Sequence, residues 1–276
     1  MNSVQKTIFL VAGEPSGDIH GARLVSAMKK GQSNILFVGH GGDEMASAGV
    51  TIIEHVDNLS IMGFSEVIQN LYRMFHILDE TVETIKHTMP DRVILIDYPG
   101  FNLRLAKRIR KLDIPITYFI LPQAWAWGEK RVKTMKPLLN QALSIFPFEK
   151  EWFEIRGLPI NYVGHPFADR QPVKKARTTF MNLHNIDPNH PIITLLPGSR
   201  QQEVDQHWPI FLKTFNLLQK KIPSLQAVVG KAPNVVLKPL PDHISVENKA
   251  RIAMAFGTVA ITSSGTATLE LSLIHI

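Results

Sequence analysis

The chain has 276 residues, of which 45% are hydrophobic and 20% are charged, and its formal net charge is +6. This length suffices for two domains. The absence of cysteine excludes disulfides and thiolate metal sites. No window approaches the roughly 18 consecutive apolar residues of a membrane span, and the apolar run Ile8 to Ala12 is too short for a signal peptide core. The positive charge favours anionic partners, whether phosphates, lipid headgroups or nucleic acid.

The chain begins with the pattern of a strand, a glycine-rich turn and a helix. Thr7 to Ala12 predicts a buried strand, AGEPSGD (12–18) a turn, and Ile19 to Lys29 a helix. A helix N-terminus above a sheet is a favourable place for an anion, although the turn is not the GxGxxG dinucleotide fingerprint. A second strand is predicted at Ile35 to Val38, followed by a flexible glycine turn with His40 at its tip.

Leu59 to Leu78 has an unusually wide apolar face. One interpretation is a helix of the core. The other is a partly exposed apolar lip, formed by residues such as Met62, Phe64 and Val67, that takes acyl chains or enters a bilayer interface. The sequence leaves both open.

The segment ILIDYPGFN (94–102) organises the first half of the chain. Val93 to Ile96 predicts a strand buried on both faces, and Asp97 breaks the apolar run at its carboxyl end. Ligands of open parallel sheets bind outside the carboxyl ends of the strands, so a carboxylate there is placed to accept a substrate proton. The alternative is that Asp97 or Asn102 caps the basic helix that follows.

The next strand, Ile116 to Leu121, leads into LPQAWAW (121–127). Two tryptophans directly after a strand either line a cleft or pack in the core. Further short strands are predicted at Ala142 to Phe146 and at Ile160 to Val163.

The second half repeats the plan after a connection near residues 164–177. The sequence predicts a strand at Ile192 to Leu196, a Pro-Gly-Ser-Arg turn and a helix over 203–218. Later strands are predicted near 227–229 and 259–261, and the second of these is followed by the small-residue turn SSGTATLE (263–270). Two such arrays predict an α/β protein with two doubly wound domains, 1–168 and 169–276, that face one another across a cleft.

Several chemistries lack their signatures in this sequence. There is no GxxxxGK[ST] phosphate loop, no HExxH zinc motif and no pair of aspartates at i and i+2. We therefore expect no metal and no cofactor, and a diphosphate leaving group would be stabilised by backbone dipoles and by cations such as Arg200.

The motifs AGEPSGD, ILIDYPGFN, LPQAWAW, VGHP, LLPGSR and SSGTATLE, in this order, resemble those of the lipid-A-disaccharide synthase family of GT-B glycosyltransferases. The resemblance implies two Rossmann-like domains, of which the first binds the acceptor and the second the nucleotide sugar. It also implies inverting transfer of 2,3-diacylglucosamine from its UDP derivative to 2,3-diacylglucosamine 1-phosphate (lipid X), as a peripheral protein on the cytoplasmic face of the Gram-negative inner membrane. Because family members continue beyond the last motif, we expect the second domain to be incomplete and the chain to be a fragment, with or without activity.

Inversion requires a base for the attacking hydroxyl and a stabiliser for departing UDP. The resemblance favours Asp97 as the base and Arg200 as the stabiliser. The residues expected to contact substrates are Glu14, Ser16, Gly17, Asn102, Trp125, Trp127, Ser264, Gly265, Thr266, Ala267 and Glu270. Two alternatives are another GT-B enzyme acting on a UDP-amino sugar, such as a peptidoglycan-type glycosyltransferase or a 2-epimerase, and a nucleic-acid-binding module. The latter has only the net charge in its favour, so we expect no nucleic acid partner.

Overall fold

A computed structural model describes residues 5–32, 34–60, 67–168, 173, 176–233 and 235–275. The chain divides into two compact units, Met1–Pro166 and Phe167–Ile276. Each unit is built on one parallel β-sheet with helices between its strands. The division lies close to the boundary after residue 168 that the sequence predicts.

The first unit has a seven-stranded sheet. Its strands are β1 (Lys6–Ala12), β2 (Ile35–Gly41), β3 (Thr51–His55), β4 (Arg92–Ile96), β5 (Ile116–Phe119), β6 (Gln141–Ser144) and β7 (Asn161–Tyr162). They lie in the order β3-β2-β1-β4-β5-β6-β7, and neighbouring strands are parallel. The order changes direction between β1 and β4, which is the position where open parallel sheets bind ligands.

Helices connect these strands. They are α1 (Pro15–Gly31), α2 (Asp43–Ser47), α3 (Val56–Ser60), α4 (Val67–Thr88), α5 (Pro99–Ile109), α6 (Ala124–Trp127), α7 (Lys130–Met135) and α8 (Pro147–Ile155). A short 3₁₀ turn, Arg110–Leu112, extends α5.

The central strands bury side chains on both faces of the sheet. Phe9 and Leu95 pack with Phe101 of α5 in one cluster, whereas Leu10 and Ile96 belong to a second cluster with residues of α1 and α2. Burying one such side chain stabilises the fold by about 1.5–3 kcal/mol. This two-sided burial is why β1 and β4 read as continuous apolar runs in the sequence.

The glycine turn expected after residue 38 is wrong, because β2 continues through Gly41. A Cβ at Gly39 would lie 1.9 Å from the carbonyl oxygen of Leu10, so this glycine permits close approach to β1 rather than a turn. His40 is 1% exposed and its ring centroid lies 5.7 Å from that of Phe101. Burial lowers the pKa of His40 to about 3, so the imidazole is neutral at physiological pH.

Within the apolar segment 59–78, the described residues belong to the end of α3, at Ser60, and to α4 from Val67 onward. Within α4, Met74, Ile77 and Leu78 are buried in the core of the unit. This part of the segment is therefore the core helix of the first interpretation. Met62 and Phe64 lie outside the described residues, as does the side chain of Val67.

The second unit has a four-stranded parallel sheet. Its strands are β8 (Ile192–Leu196), β9 (Gln226–Gly230), β10 (Ile244–Glu247) and β11 (Val259–Thr262), and its helices are α9 (Arg177–Leu183), α10 (Gln201–Lys221), α11 (Ala250–Phe256) and α12 (Thr266–His275). The strand order is β10-β9-β8-β11. Trp208 of α10 is buried among the apolar residues of β8 and β9, and its indole N–H donates to the carbonyl of Pro239 at 2.8 Å.

Candidate functional site

Asp97 lies at the carboxyl end of β4, at the point where the strand order changes direction. Asp97 and the following Tyr98 both have left-handed backbone conformations, with φ of 47° each. Such values are uncommon outside glycine, and aspartate tolerates them better than most residues. The chain therefore turns sharply after β4, and Pro99 begins α5.

Hydrogen bonds from two buried side chains fix this turn. The side-chain amide of Asn102 donates to the carbonyl of Asp97 at 2.7 Å, and the hydroxyl of Tyr118 on β5 donates to the same carbonyl at 2.6 Å. The Asn102 amide also reaches the carbonyls of Val11 and Ile96, at 3.4 and 3.3 Å. Asn102 is completely buried. It therefore joins the ends of β1 and β4 and positions Asp97.

The surroundings of Asp97 make its carboxyl group a weaker acid than usual. Burial, followed by the negative charge of Glu14, raises the pKa of Asp97 to about 6, against a smaller opposite effect from a backbone hydrogen bond at Tyr98. The same two causes raise the pKa of Tyr98. A carboxyl group with a pKa near 6 is half-ionised at about pH 6 and mostly ionised at pH 7, and its carboxylate is a much better proton acceptor than that of an ordinary aspartate.

Tyr98 lies against the loop that follows β1. A Cβ at Gly13 would lie 2.1 Å from Cδ1 of the Tyr98 ring, so only glycine fits at this position. The Tyr98 hydroxyl donates to the carbonyl of Leu59 at 3.1 Å, and the ring stacks against Phe101 at a centroid distance of 6.1 Å. The glycine after β1 and the aromatic residue after β4 thus bring the two strand ends together.

The AGEPSGD motif is mostly helix rather than the turn that was expected. Glu14 is the half-buried N-cap residue of α1, and Pro15 begins the helix, as proline often does because its fixed φ suits the first position. Ser16 is half-buried in the first turn, and Gly17 is buried against Ala12. Of the three expected contact residues, Glu14 and Ser16 therefore have side chains with access to a ligand.

The last residue of this motif has a structural role. Asp18 is 5% exposed, and its carboxylate accepts hydrogen bonds from the backbone N–H groups of Gly42, Glu44 and Met45 at 2.7 to 3.1 Å. These are the unpaired amides at the start of α2, so Asp18 caps that helix from a distance.

An aromatic cluster lies at the carboxyl ends of β5 and β6. Trp125 is 39% exposed, and its indole N–H donates to Oε1 of Glu149 at 3.1 Å. Glu149 is buried, and burial raises its pKa despite the hydrogen bonds from Trp125 and from backbone amides. Phe148 contacts the Trp125 ring edge to face, with centroids 5.2 Å apart. Trp125 therefore lines the surface at this edge of the sheet, whereas the side chain of Trp127 lies outside the described residues.

In the second unit, a cavity of about 190 Å³ lies at the carboxyl ends of β8, β9 and β11. Ser264, Gly265, Ala267 and Glu270 line it, together with residues of the 198–203 turn. Thr266 begins α12, and its side chain lies outside the described residues. Glu270 lies 3.9 Å from Nε of Arg251. The structure thus brings four of the residues expected at the nucleotide site into one cavity.

Arg200 is the exposed N-cap residue of α10. Oε2 of Glu203 accepts hydrogen bonds from the backbone amides of Ser199 and Arg200, at 3.1 and 3.4 Å, and Glu203 also lines the cavity. Backbone amides at the positive end of a helix dipole bind anions, and here the carboxylate of Glu203 occupies those of Ser199 and Arg200.

Three residues of these sites were not predicted from the sequence: Tyr118, Glu149 and Glu203. Glu149 and Glu203 each follow a helix N-cap by three residues, the spacing of a capping box, which could have indicated them. No local signal marks Tyr118, because its partner Asp97 is distant in sequence.

Across the described ranges, no group of three or more histidine, aspartate or glutamate side chains is arranged to hold a metal ion. In the same residues, no helix combines the length and the apolarity needed to cross a bilayer.

Comparisons with known proteins agree with this architecture. Residues 8–276 match the family model described as lipid-A-disaccharide synthetase. The chain is 34% identical over 273 residues to a lipid-A-disaccharide synthase of Coxiella burnetii strain RSA 331. This alignment covers 97% of this chain and 73% of the relative. It is 35% identical to that of Myxococcus xanthus, over 97% of this chain and 72% of the relative.

Solved structures share the fold at low sequence identity. A putative UDP-N-acetylglucosamine 2-epimerase from Listeria monocytogenes superposes with a TM-score of 0.68 at 11% identity, over 99% of this chain and 78% of the other. The calicheamicin glycosyltransferase CalG4 superposes with a TM-score of 0.56 at 13% identity, over 98% and 77%. These likenesses identify the GT-B-type fold that the sequence predicts, with a smaller second sheet. The family match over residues 8–276 and the relatives at 34% and 35% identity establish that the chain belongs to the lipid-A-disaccharide synthase family.

Proposed function

We propose that this protein joins UDP-2,3-diacylglucosamine to lipid X, giving the β-1,6-linked lipid A disaccharide 1-phosphate and UDP. Membership of the lipid-A-disaccharide synthase family supports the reaction. The observation that carries the mechanism is the position and acidity of Asp97, a carboxyl group with a pKa of about 6 at the carboxyl end of β4.

In this proposal Asp97 is the general base. The 6-hydroxyl of lipid X attacks the anomeric carbon of the donor in a single displacement, which inverts the configuration there. Asp97 accepts the hydroxyl proton as the new bond forms. Such assistance is most effective when the pKa of the base lies near the working pH, a condition that burial and Glu14 create here. The hydrogen bonds from Asn102 and Tyr118 to the Asp97 carbonyl support a fixed position for the base.

The cavity of the second unit is the proposed diphosphate site. Its lining by small residues, Gly198, Ser199 and Ser263 to Gly265, allows backbone groups to approach phosphate oxygens. The guanidinium of Arg200 and the positive end of the α10 dipole would stabilise the charge that develops on departing UDP. Glu270, which lines the same cavity, is the proposed acceptor for ribose hydroxyls.

We also propose a peripheral association with anionic membranes. The substrates carry acyl chains, and each buried CH₂ contributes about 0.8 kcal/mol to binding. On α5 and the following turn, the cationic residues Arg104, Lys107, Arg110 and Lys111 are exposed, and each cation near an anionic surface contributes about 1 kcal/mol. Binding to vesicles containing anionic lipid should weaken as salt rises.

Met62→Glu with Phe64→Glu should weaken vesicle binding and lipid X use while UDP binding and thermal stability are retained. Unchanged vesicle binding in a folded double variant would show that these residues form no membrane contact.

The reaction itself is tested by product analysis. The intact protein is incubated with lipid X and either UDP-2,3-diacylglucosamine or UDP-N-acetylglucosamine, and the products are identified by mass spectrometry. We expect the diacylated disaccharide phosphate from the first donor only. Formation of UDP-N-acetylmannosamine from the second, without disaccharide from the first, would show instead a 2-epimerase, the activity named for several proteins of this fold.

A further inference from the structure

Arg131 is an exposed arginine on α7, the helix that follows the LPQAWAW segment. Among the described residues, its guanidinium has no salt-bridge partner and no hydrogen-bond acceptor. Glu129, the carboxylate nearest to it in the chain, is bonded instead to Nε of Arg156 at 2.7 Å. The positive charge of Arg131 is therefore available to an anionic ligand.

The packing of α7 places Arg131 close to the Asp97 site. Val132 and Met135 of this helix are buried in the same core cluster as Tyr118 of β5. The Tyr118 hydroxyl donates to the carbonyl of Asp97 at 2.6 Å. Burial and the charge of Asp97 raise the pKa of Tyr118, while a side-chain hydrogen bond and the positive charge of Arg131 act in the opposite direction. The guanidinium is therefore within electrostatic reach of the hydroxyl that holds the Asp97 carbonyl.

Two carboxyl groups make the Asp97 site unfavourable for an anionic substrate. Burial, followed by the charge of Glu14, raises the pKa of Asp97, so these two groups are close to one another. A phosphate monoester adds a charge of about −1.5 to −2 at pH 7, which the carboxylates repel. A cation beside the phosphate offsets this repulsion. Arginine suits the task, because its planar guanidinium donates two parallel hydrogen bonds to phosphate oxygens.

The position of Arg131 relative to Asp97 fits a phosphorylated sugar. Asp97 follows β4, and Arg131 lies in the connection that follows the neighbouring strand β5. Adjacent strands lie about 5 Å apart, so one hexose ring spans the distance between neighbouring strand ends. In lipid X, the reacting 6-hydroxyl and the 1-phosphate are at opposite ends of such a ring. Trp125, which is exposed in the same connection, offers an aromatic surface on which the ring can stack.

We propose that Arg131 binds the 1-phosphate of the acceptor and thereby selects a phosphorylated sugar. This inference rests on the reaction proposed above and concerns a residue to which that proposal gives no role. The phosphate pairs with the guanidinium, the pyranose ring lies along Trp125, and the 6-hydroxyl is directed towards Asp97. The donor diphosphate and anionic lipid headgroups carry the same chemistry, so the test must separate these sources.

The test compares two acceptors, lipid X and 2,3-diacylglucosamine, which lacks the phosphate. The intact protein is assayed in micelles of a nonionic detergent, so that no anionic lipid is present. The wild-type protein should use lipid X at least about tenfold more efficiently, as measured by kcat/KM. Arg131→Gln should raise the KM for lipid X about tenfold or more, and the loss should be confined to this acceptor, with kcat and the KM for the donor retained. Arg131→Lys should be intermediate, because it keeps the charge but loses the planar fork.

The matched control is Lys133→Gln, which removes another exposed cation of α7 and should leave the preference for lipid X unchanged. Thermal unfolding should show that Arg131→Gln is as stable as the wild-type protein, since the side chain is exposed. A second measurement needs no turnover: the phosphorus-31 resonance of lipid X in micelles should broaden with the wild-type protein and much less with Arg131→Gln.

Three results would overturn the proposal. They are an equal loss of activity with both acceptors, a rise in the KM for the donor alone, which would assign Arg131 to the diphosphate, and an effect of Lys133→Gln as large as that of Arg131→Gln. Failure of the proposed reaction looks different. In that case no disaccharide forms, while the broadening of the phosphorus signal still depends on Arg131 and supports the phosphate site.

Discussion

Replacing Asp97 with asparagine isolates the proton acceptor from the geometry around it. Asparagine has the same shape and tolerates the left-handed backbone, with φ of 47°, that Asp97 adopts. The hydrogen bonds that Asn102 and Tyr118 donate end on the backbone carbonyl of residue 97, and the substitution leaves that group unchanged. Loss of general-base assistance should lower kcat about 10²- to 10⁴-fold, with little change in the KM for the donor.

The pKa of Asp97 also predicts how activity depends on pH. Since the folded protein holds this pKa at about 6, raised from 3.8, the base is protonated below pH 6 and ionised above it. For the wild-type protein, kcat/KM should rise about tenfold per pH unit below pH 6 and level off above about pH 7. The residual activity of Asp97→Asn should lack this dependence.

The same shift predicts an effect on stability with the opposite sign. The folded state keeps the Asp97 proton up to about pH 6, whereas the unfolded chain releases it near 3.8. The free energy of unfolding therefore falls, because of this group, as pH rises from about 4 to 6. At pH 7 this effect lowers the free energy of unfolding by about 1–3 kcal/mol. The upper value converts the full pKa shift of Asp97 into free energy, and the lower value allows for partial solvation of its carboxylate. Asp97→Asn should remove this penalty, so the less active variant should be the more stable protein.

The assay is disaccharide formation from pH 5 to 8, combined with urea unfolding at pH 5 and 7. The matched control is Asp113→Asn, an exposed aspartate that also has a left-handed backbone, with φ of 54°. It should change neither rate nor pH profile. Near-normal turnover of Asp97→Asn, or a wild-type profile that is flat between pH 5 and 7, would refute the assignment of Asp97 as the base.

Two further predictions concern the loops at the strand ends. Gly13→Ala places a Cβ 2.1 Å from the ring of Tyr98. It should lower the free energy of unfolding, measured by urea titration, by about 1–3 kcal/mol. The control Gly31→Ala, whose Cβ would have no atom within 4 Å, should be neutral or slightly stabilising. Equal stability of both variants would show that the packing at Gly13 is unimportant. Glu203→Gln keeps an acceptor for the amides at the start of α10 but removes a negative charge from the cavity. UDP should therefore bind about three- to tenfold more tightly, as measured by calorimetry. The control Asp205→Asn changes a residue outside the cavity and should leave the affinity for UDP unchanged. Weaker binding to Glu203→Gln would place the diphosphate elsewhere.

The sequence alone predicted the strands that are buried on both faces. The runs at 7–12, 93–96 and 192–196 correspond to β1, β4 and β8 within a residue or two, because a strand covered on both faces is apolar at most of its positions. It also placed Asp97 at the end of β4. The strands β3 and β10 were missed because each is at the edge of its sheet and lacks a continuous buried run: β3 has only exposed and half-buried positions, and two of the four positions of β10 are half-buried.

Glycine was the main source of wrong predictions near the site. The glycines after residue 38 suggested a turn, but β2 continues there because Gly39 allows β1 to approach closely. Local sequence cannot distinguish these two uses of glycine, since the second depends on a neighbouring strand that is remote in the chain.

The tertiary structure alone decided the chemistry of individual side chains. Sequence identified Asp97 and Asn102 as polar residues next to a strand, without distinguishing a base from a helix cap. Burial and the charge of Glu14 raise the pKa of Asp97, while Asn102 is buried and bonded to the carbonyls of two strands. Both outcomes depend on solvent exclusion and on contacts between residues remote in the chain, such as Asn102 and Val11, which are 91 positions apart, and these arise only when the sheet assembles.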